Sequence, residues 1–125
     1  MNLLLDTHAL IWWLEDNPSL SKEARVAIAA PENIVFVSAV NALEITIKKA
    51  IGKLKAPDNL EEEIAINRFQ PLPITISHAL AVGNLPLHHN DPFDRLLIAQ
   101  AVVEGLMLVT RDNNQKKYGV PFIEA

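Results

Sequence analysis

Three short apolar runs limit the fold more than any other feature: "NLLLD" at residues 2–6, "NIVFVS" at 33–38 and "LMLVT" at 106–110. Each has strand length, and each ends on or just before a polar residue. "THALIWWLE" after the first run predicts a helix opened by Thr7, and "SLSKEARVAIAA" predicts a second helix stopped by Pro31. "AVNALEITIKKAIGKL" predicts a long helix. Its apolar positions Val40, Leu43, Ile47, Ala50, Ile51 and Leu54 follow the three-and-four spacing of one buried face. "DNLEEEIAINRF" predicts a helix capped by Asp58, with acids in its first turn that complement the helix dipole. An extended "PLPITIS", a small helix "HALAVGN" and a last short strand "VPFIEA" complete the pattern. Strands separated by helices predict an α/β sandwich on a mostly parallel sheet of about five strands.

At 125 residues the chain predicts one compact domain, residues 1–125, with a single core. It has no cysteine, which excludes disulfides, thiolate zinc sites and a cysteine nucleophile, and fits a reducing cytoplasm. The apolar start "MNLLLD" meets a charge after three leucines, too short for a signal peptide or a membrane span. With a net charge of −4, nucleic-acid contact requires a local basic patch on an acidic background.

The stretch "HHNDPFDRLLIAQAVVEG" places Asp91 and Asp94 at the start of an apolar helix. Capping explains Asp91, Pro92 suits the first turn, and Asp94 fits a capping-box acid. Yet a cap needs only Asp91, and Asp94 stands where a side chain can face the crevice at one end of the sheet. Asp6 directly follows the first strand, and Asp112 follows "LMLVT" with one residue between. Functional groups in open α/β sheets gather at the carboxyl ends of strands. Singly, these acids read as turn or cap residues; together they point to one site. Glu44 reads either as a surface partner of Lys48 or as an inward group at the edge of the apolar stripe.

Carboxylates that meet in one place repel by roughly 4 kcal/mol per pair at about 4 Å and an effective dielectric of 20. Protonation or a divalent cation must relieve them, and oxygen-only ligands favour Mg²⁺ or Mn²⁺. Such a site suits phosphodiester hydrolysis, in which the ion polarises the phosphoryl oxygen, activates water and steadies the leaving oxygen. "GKLK" lacks the rest of a phosphate-binding loop, and no serine sits in a nucleophile elbow. Adjacent His88 and His89 point apart and read as a solvated pair, His8 as structural, and Trp12 and Trp13 chiefly as core. Lys48, Lys49, Lys53 and Lys55 hold four of the eleven basic side chains, on the helix of Glu44 or just after it. They read as a solvated face or as guides for a phosphate backbone. Arg95 and Arg111 each adjoin a candidate acid.

Nearly end to end the chain resembles a PIN-domain ribonuclease, specifically the VapC-type toxins of toxin–antitoxin pairs. The likeness rests on "LLLDTHALIWWL", "SAVNALEITIKKAIGKL", "DPFDRLLIAQA" and "LVTRDNNQKKYGV", in that order. It implies a three-layer α/β/α sandwich with a parallel sheet, and an acidic quartet at Asp6, Glu44, Asp94 and Asp112 that binds Mg²⁺ or Mn²⁺ and carries catalysis. It leaves Asp91 chiefly as a cap with a supporting role beyond the direct ligands, and it makes Thr110 and Ser38 orienting residues. Relatives commonly carry Ser where Asn41 stands and Trp where Leu43 stands, which implies altered packing with the acids intact. The resemblance further implies homodimers, an RNA substrate, and a small VapB-type antitoxin whose tail blocks the acidic groove.

The sequence reading is therefore a metal-dependent endoribonuclease of the cytoplasm, the toxin of a type II toxin–antitoxin pair. Asp6 and Asp94 are the expected principal ligands, and Lys48, Lys49 and Arg95 the candidate phosphate contacts. Two alternatives remain at this level: a PIN-fold binding module without turnover, and an aspartyl-phosphate transfer domain. Against the latter, Asp6 is followed by Thr-His rather than a second aspartate.

Overall fold

The computed structural model describes residues 1–88 and 90–125; His89, one of the paired histidines, lies outside the described residues. Five strands, β1 (Asn2–Leu5), β2 (Ile34–Ser38), β3 (Gln70–Leu72), β4 (Met107–Thr110) and β5 (Phe122–Glu124), form one sheet in the order β3-β2-β1-β4-β5. Every adjacent pair is parallel. The chain runs outward from β1 through β2 to β3, then returns to the other side of β1 for β4 and β5. The order thus reverses between β1 and β4, and a crevice opens there at the carboxyl ends of the strands.

The apolar run of β1 is explained by burial on both faces, as a central parallel strand requires. Leu3 and Leu5 pack with α1 (Thr7–Leu14) and α2 (Lys22–Ala29) on one side, while Leu4 packs with α6 (Pro92–Glu104) on the other. All three leucines are fully buried. The two helical layers share α3 (Ala39–Ala50), whose Ile45 joins the first cluster and whose Val40 joins the second. The expected α/β/α sandwich is the observed architecture. Among the described residues no helix is long and apolar enough to cross a membrane.

Local signals set most helix ends. Ser21 caps α2, and Asp91 caps α6 through the amides of Phe93 and Asp94, with Pro92 in the first turn. Gly105 closes α6 at φ 67°, a left-handed position that glycine takes without steric cost. The small helix after β3 divides into α5 (Ile76–Ala81) and a 3₁₀ turn at Val82–Asn84. Three expectations need correction. Helix α1 is capped by the Asp6 side chain, with Thr7 already inside the helix. Helix α4 (Leu60–Ile66) starts after Asn59, whereas Asp58 pairs with Lys49 at 2.5 Å.

The third correction concerns the face that α3 buries. Leu43, Ile47 and Ile51 are 48%, 43% and 60% exposed, whereas Asn41 and Glu44 are buried. This helix turns polar groups inward because its first half crosses the sheet's carboxyl end, where backbone groups need partners. Asn41 Oδ1 accepts from the Ser38 amide, and its Nδ2 donates to Leu5 O at 3.2 Å and to Thr7 Oγ1 at 3.1 Å. Ser38 caps α3 and donates to Gln100 Oε1, tying α3 to α6 through the core. Hydrophobic periodicity marks the wrong stripe here because satisfying buried polar atoms outweighs burying three aliphatic side chains.

That inversion predicts a sharp contrast between neighbours in α3. Ile45→Ala should cost about 2–5 kcal/mol of stability, the usual range for truncating a buried aliphatic side chain. Ile47→Ala should stay within about 0.5 kcal/mol at concentrations where the chain is monomeric. Urea unfolding of both variants checks this, and a larger loss for Ile47→Ala would restore the apolar-stripe reading.

Candidate active site

At the β1/β4 crevice lies a pocket of about 510 Å³ lined by Asp6, Thr7, His8, Trp12, Glu44, Lys48, Asp91, Asp94, Arg111, Asp112 and Gln115. All four acids expected of a site line this one pocket, although they come from segments up to 106 residues apart in "LLLD" and "TRD". Parallel topology explains the gathering, since β1 and β4 deliver Asp6 and Asp112 to the same end of the sheet. Five carboxylates face Lys48 and Arg111, so the lining carries a formal excess of three negative charges.

Asp6 is the most constrained of them. Its Oδ1 accepts from the Ala9 amide at 2.7 Å and its Oδ2 accepts from Thr110 Oγ1 at 2.6 Å. Thr110 also accepts from the Asp112 amide at 3.0 Å, so one hydroxyl links the ends of β1 and β4. Burial pushes the Asp6 carboxyl above the ordinary aspartate range. The hydrogen bonds from Thr110 and Ala9 and the charge of His8 oppose that shift, and the negative charge of Asp112 adds to it.

Glu44 satisfies both of its sequence readings at once. It is 4% exposed, its Oε1 accepts from Thr7 Oγ1 at 2.5 Å, and its Oε2 pairs with Lys48 Nζ at 2.5 Å. Lys48 is held charged above the usual lysine range by its hydrogen bond to Glu44 and the negative charges of Glu44, Asp91 and Asp94, against a smaller desolvation effect. Asp94 Oδ1 accepts from Gln115 Nε2 at 2.8 Å. Asp112 caps the short helix α7 (Asn113–Lys116) by accepting from the Asn114 amide. Asp91 is both the α6 cap and part of the pocket wall.

Other candidates sit elsewhere. Ser38 is buried in the α3–α6 hydrogen-bond chain and is not part of the pocket lining. Lys49 turns to Asp58. The Arg95 guanidinium binds the carbonyls of Val82 and Pro86 and the Tyr118 hydroxyl, bracing the segment before α6 rather than lining the pocket. His88 packs edge-on against Tyr118. Conversely, His8 is exposed at the pocket and Trp12 lines it, with Arg111 stacked 4.5 Å above the indole. Gln115 went unnoticed in the sequence; its only signal was a place one helical turn after Asp112, which returns it toward the strand ends.

The lining suits a hard divalent cation in its chemistry: its carboxylates offer only oxygen, and Asp6 accepts its hydrogen bonds from the neutral Ala9 amide and Thr110 hydroxyl. Among the described residues no three acid, histidine or cysteine side chains close onto one point in this arrangement. A cation held by one or two carboxylates, with water completing its shell, needs no such closure.

Comparison with known proteins agrees with this geometry. The family model described as PIN domain matches residues 3–121. Ribonuclease VapC22 of Mycobacterium tuberculosis is 31% identical over 127 residues, covering 95% of this chain and 93% of that protein. The fold is similar to that of VapBC2 from Rickettsia felis bound to a promoter DNA fragment, with TM-score 0.71, 17% identity and coverage of 99% and 98%. It is also similar to FitAcB from Neisseria gonorrhoeae, with TM-score 0.68, 18% identity and coverage of 98% and 96%. A toxin–antitoxin complex from Klebsiella pneumoniae aligns with TM-score 0.62, 22% identity and coverage of 98% and 96%.

The raised Asp6 carboxyl has a measurable consequence for stability. Its folded-state value lies above the ordinary 3.8, so the folded chain holds this proton to higher pH than the unfolded chain. Its contribution therefore falls as pH rises from about 3.8 through the folded-state value, and at neutral pH it is a standing penalty. In chelator at pH 7, Asp6→Asn should unfold at a higher urea concentration than the unmutated chain, and the gap should close on acidification below pH ~4. An equal or lower midpoint for Asp6→Asn at pH 7 would contradict this assignment.

Proposed function

The chain belongs to the PIN domain family, and from that premise we propose a divalent-cation-dependent endoribonuclease, the toxin of a toxin–antitoxin pair. The observation that carries the reading is the convergence of Asp6, Glu44, Asp94 and Asp112 on one pocket at the β1/β4 crevice. The likeness to a ribonuclease over 95% of the chain supports RNA as substrate. The likeness to a toxin–antitoxin complex supports a small antitoxin as partner, and membership of the PIN domain family supports a homodimer as the working form and the cytoplasm as its compartment. Residues 1–125 act in this reading as one nuclease domain.

Asp6 and Asp94 would hold Mg²⁺ or Mn²⁺, with Glu44 and Asp112 acting on it directly or through water. When bound, the ion supplies Lewis-acid polarisation of the phosphoryl oxygen and a more acidic water. The chain's own groups do the remainder. Thr110 fixes the Asp6 carboxylate in one orientation, and the Thr7–Asn41 pair does the same for Glu44. Lys48, kept protonated by the acids around it, places a positive charge at the pocket where a scissile phosphate enters. Arg111 lines the same pocket beside Trp12 and offers a second phosphate contact. Lys49 and Arg95, engaged elsewhere, are not assigned this role.

Asp6→Asn and Asp94→Asn should each lower RNA cleavage by more than about a hundredfold while keeping the native circular-dichroism spectrum, since direct ligands matter more than the outer partners that cost 10- to 100-fold. Lys49→Ala should cleave at the unmutated rate. A quenched-fluorophore RNA assay with Mn²⁺, and with chelator as the blank, reads all three. Full activity in both aspartate variants, or cleavage undiminished by chelator, would refute the proposal.

A further inference from the structure

Gln115 is buried to 2% exposure in the wall of the acidic pocket, yet its Oε1 has no hydrogen-bond partner, alone in this among buried side-chain atoms of the described residues. A buried acceptor without a donor costs on the order of 1–3 kcal/mol, so a native chain retains one only where something else completes it. The orientation of the amide is not arbitrary. Its Nε2 donates to Asp94 Oδ1 at 2.8 Å, and turning the group over would set two acceptors against each other. With the donor end committed to the carboxylate, the acceptor end of this pocket-lining side chain remains for a hydrogen-bond donor. Water on a hydrated divalent cation is such a donor, and it would lie beside Asp94, the residue that the same amide holds.

We propose that Gln115 is a positioning residue of the divalent-cation site: its Nε2–H group orients Asp94, and its Oε1 accepts a hydrogen bond from a water of the hydrated ion. The inference rests on the nuclease reading above and adds to it a residue outside the acidic quartet. It also assigns a purpose to α7, a four-residue helix whose cap is Asp112 and whose first turn carries Gln115 back to Asp94. Two acids from different segments are thereby tied to one short element.

The test is Mn²⁺ binding to the metal-free protein by isothermal titration calorimetry, with thermal melting of the same samples. Gln115→Met keeps the volume and removes both amide functions. Its Mn²⁺ affinity should fall about tenfold or more, as removal of partners that orient ligands commonly does. Its metal-free melting temperature should stay close to that of the unmutated chain, because relief of the orphaned acceptor offsets the lost hydrogen bond to Asp94. Should the Met variant not fold, Gln115→Asn, one methylene too short to reach Asp94, carries the same comparison. Affinity equal to the unmutated chain, or a loss matched by an equally large loss of stability, would overturn the proposal. Asp94→Asn separates the two levels. If it loses Mn²⁺ while Gln115→Met does not, only the role of Gln115 fails; if the unmutated chain binds no Mn²⁺, the nuclease reading fails with it.

Discussion

Repulsion between like charges is the constraint on which this structure turns. A parallel sheet with a reversal of strand order brings Asp6 and Asp112 to one crevice, and α3 and α6 add Glu44 and Asp94. Packing alone would not select such an arrangement. Two carboxylates brought to about 4 Å at an effective dielectric of 20 would repel by roughly 4 kcal/mol, comparable with a large share of a small domain's stability, and among the described residues no three such groups close onto one point. The chain meets this cost with its own donors: Thr110 and the Ala9 amide on Asp6, Thr7 and Lys48 on Glu44, Gln115 on Asp94, and the Asn114 amide on Asp112. These donors hold the acids apart and oriented, and they leave a net negative pocket for a cation.

The same requirement accounts for the polar interior of α3. Asn41 bridges the Ser38 amide, Leu5 O and Thr7 Oγ1, so the hydroxyl that holds Glu44 is itself held by a buried amide. On the far side, Ser38 donates to Gln100, whose Nε2 reaches Pro73 O. A hydrogen-bonded chain thus runs from the pocket through the junction of β1, β2 and α3 to α6. Networks of this kind rigidify when every member is satisfied, which suits groups that must stay fixed beside a charged ligand.

Strand runs and the Asp91 cap were legible from the sequence because they are local, whereas the caps expected at Thr7 and Asp58 were misplaced. "NLLLD" and "LMLVT" announced buried parallel strands, and Asp91-Pro92 announced the start of α6. The acids were legible because strand ends are predictable even when side-chain directions are not. What failed were the apolar stripe assigned to α3 and the direction assigned to Arg95, although the inward reading of Glu44 held. Leu43, Ile47 and Ile51 look like a core stripe, but the polar needs of the sheet's end turned Asn41 and Glu44 inward instead. Arg95 adjoins an acid in sequence, yet one residue along a helix rotates a side chain by about 100°, and its guanidinium went to carbonyls before α6. Gln115 was invisible because a glutamine in "DNNQKK" looks like surface until α7 folds it under Asp94.

Whether a divalent ion relieves this crowding is best settled by anomalous diffraction at the manganese edge from crystals grown with Mn²⁺. The account requires a peak in the β1/β4 crevice at about 2.1 Å from carboxylate oxygens of Asp6 and Asp94. A saturated crystal with no peak there, or with manganese bound only at the outer surface, would contradict it.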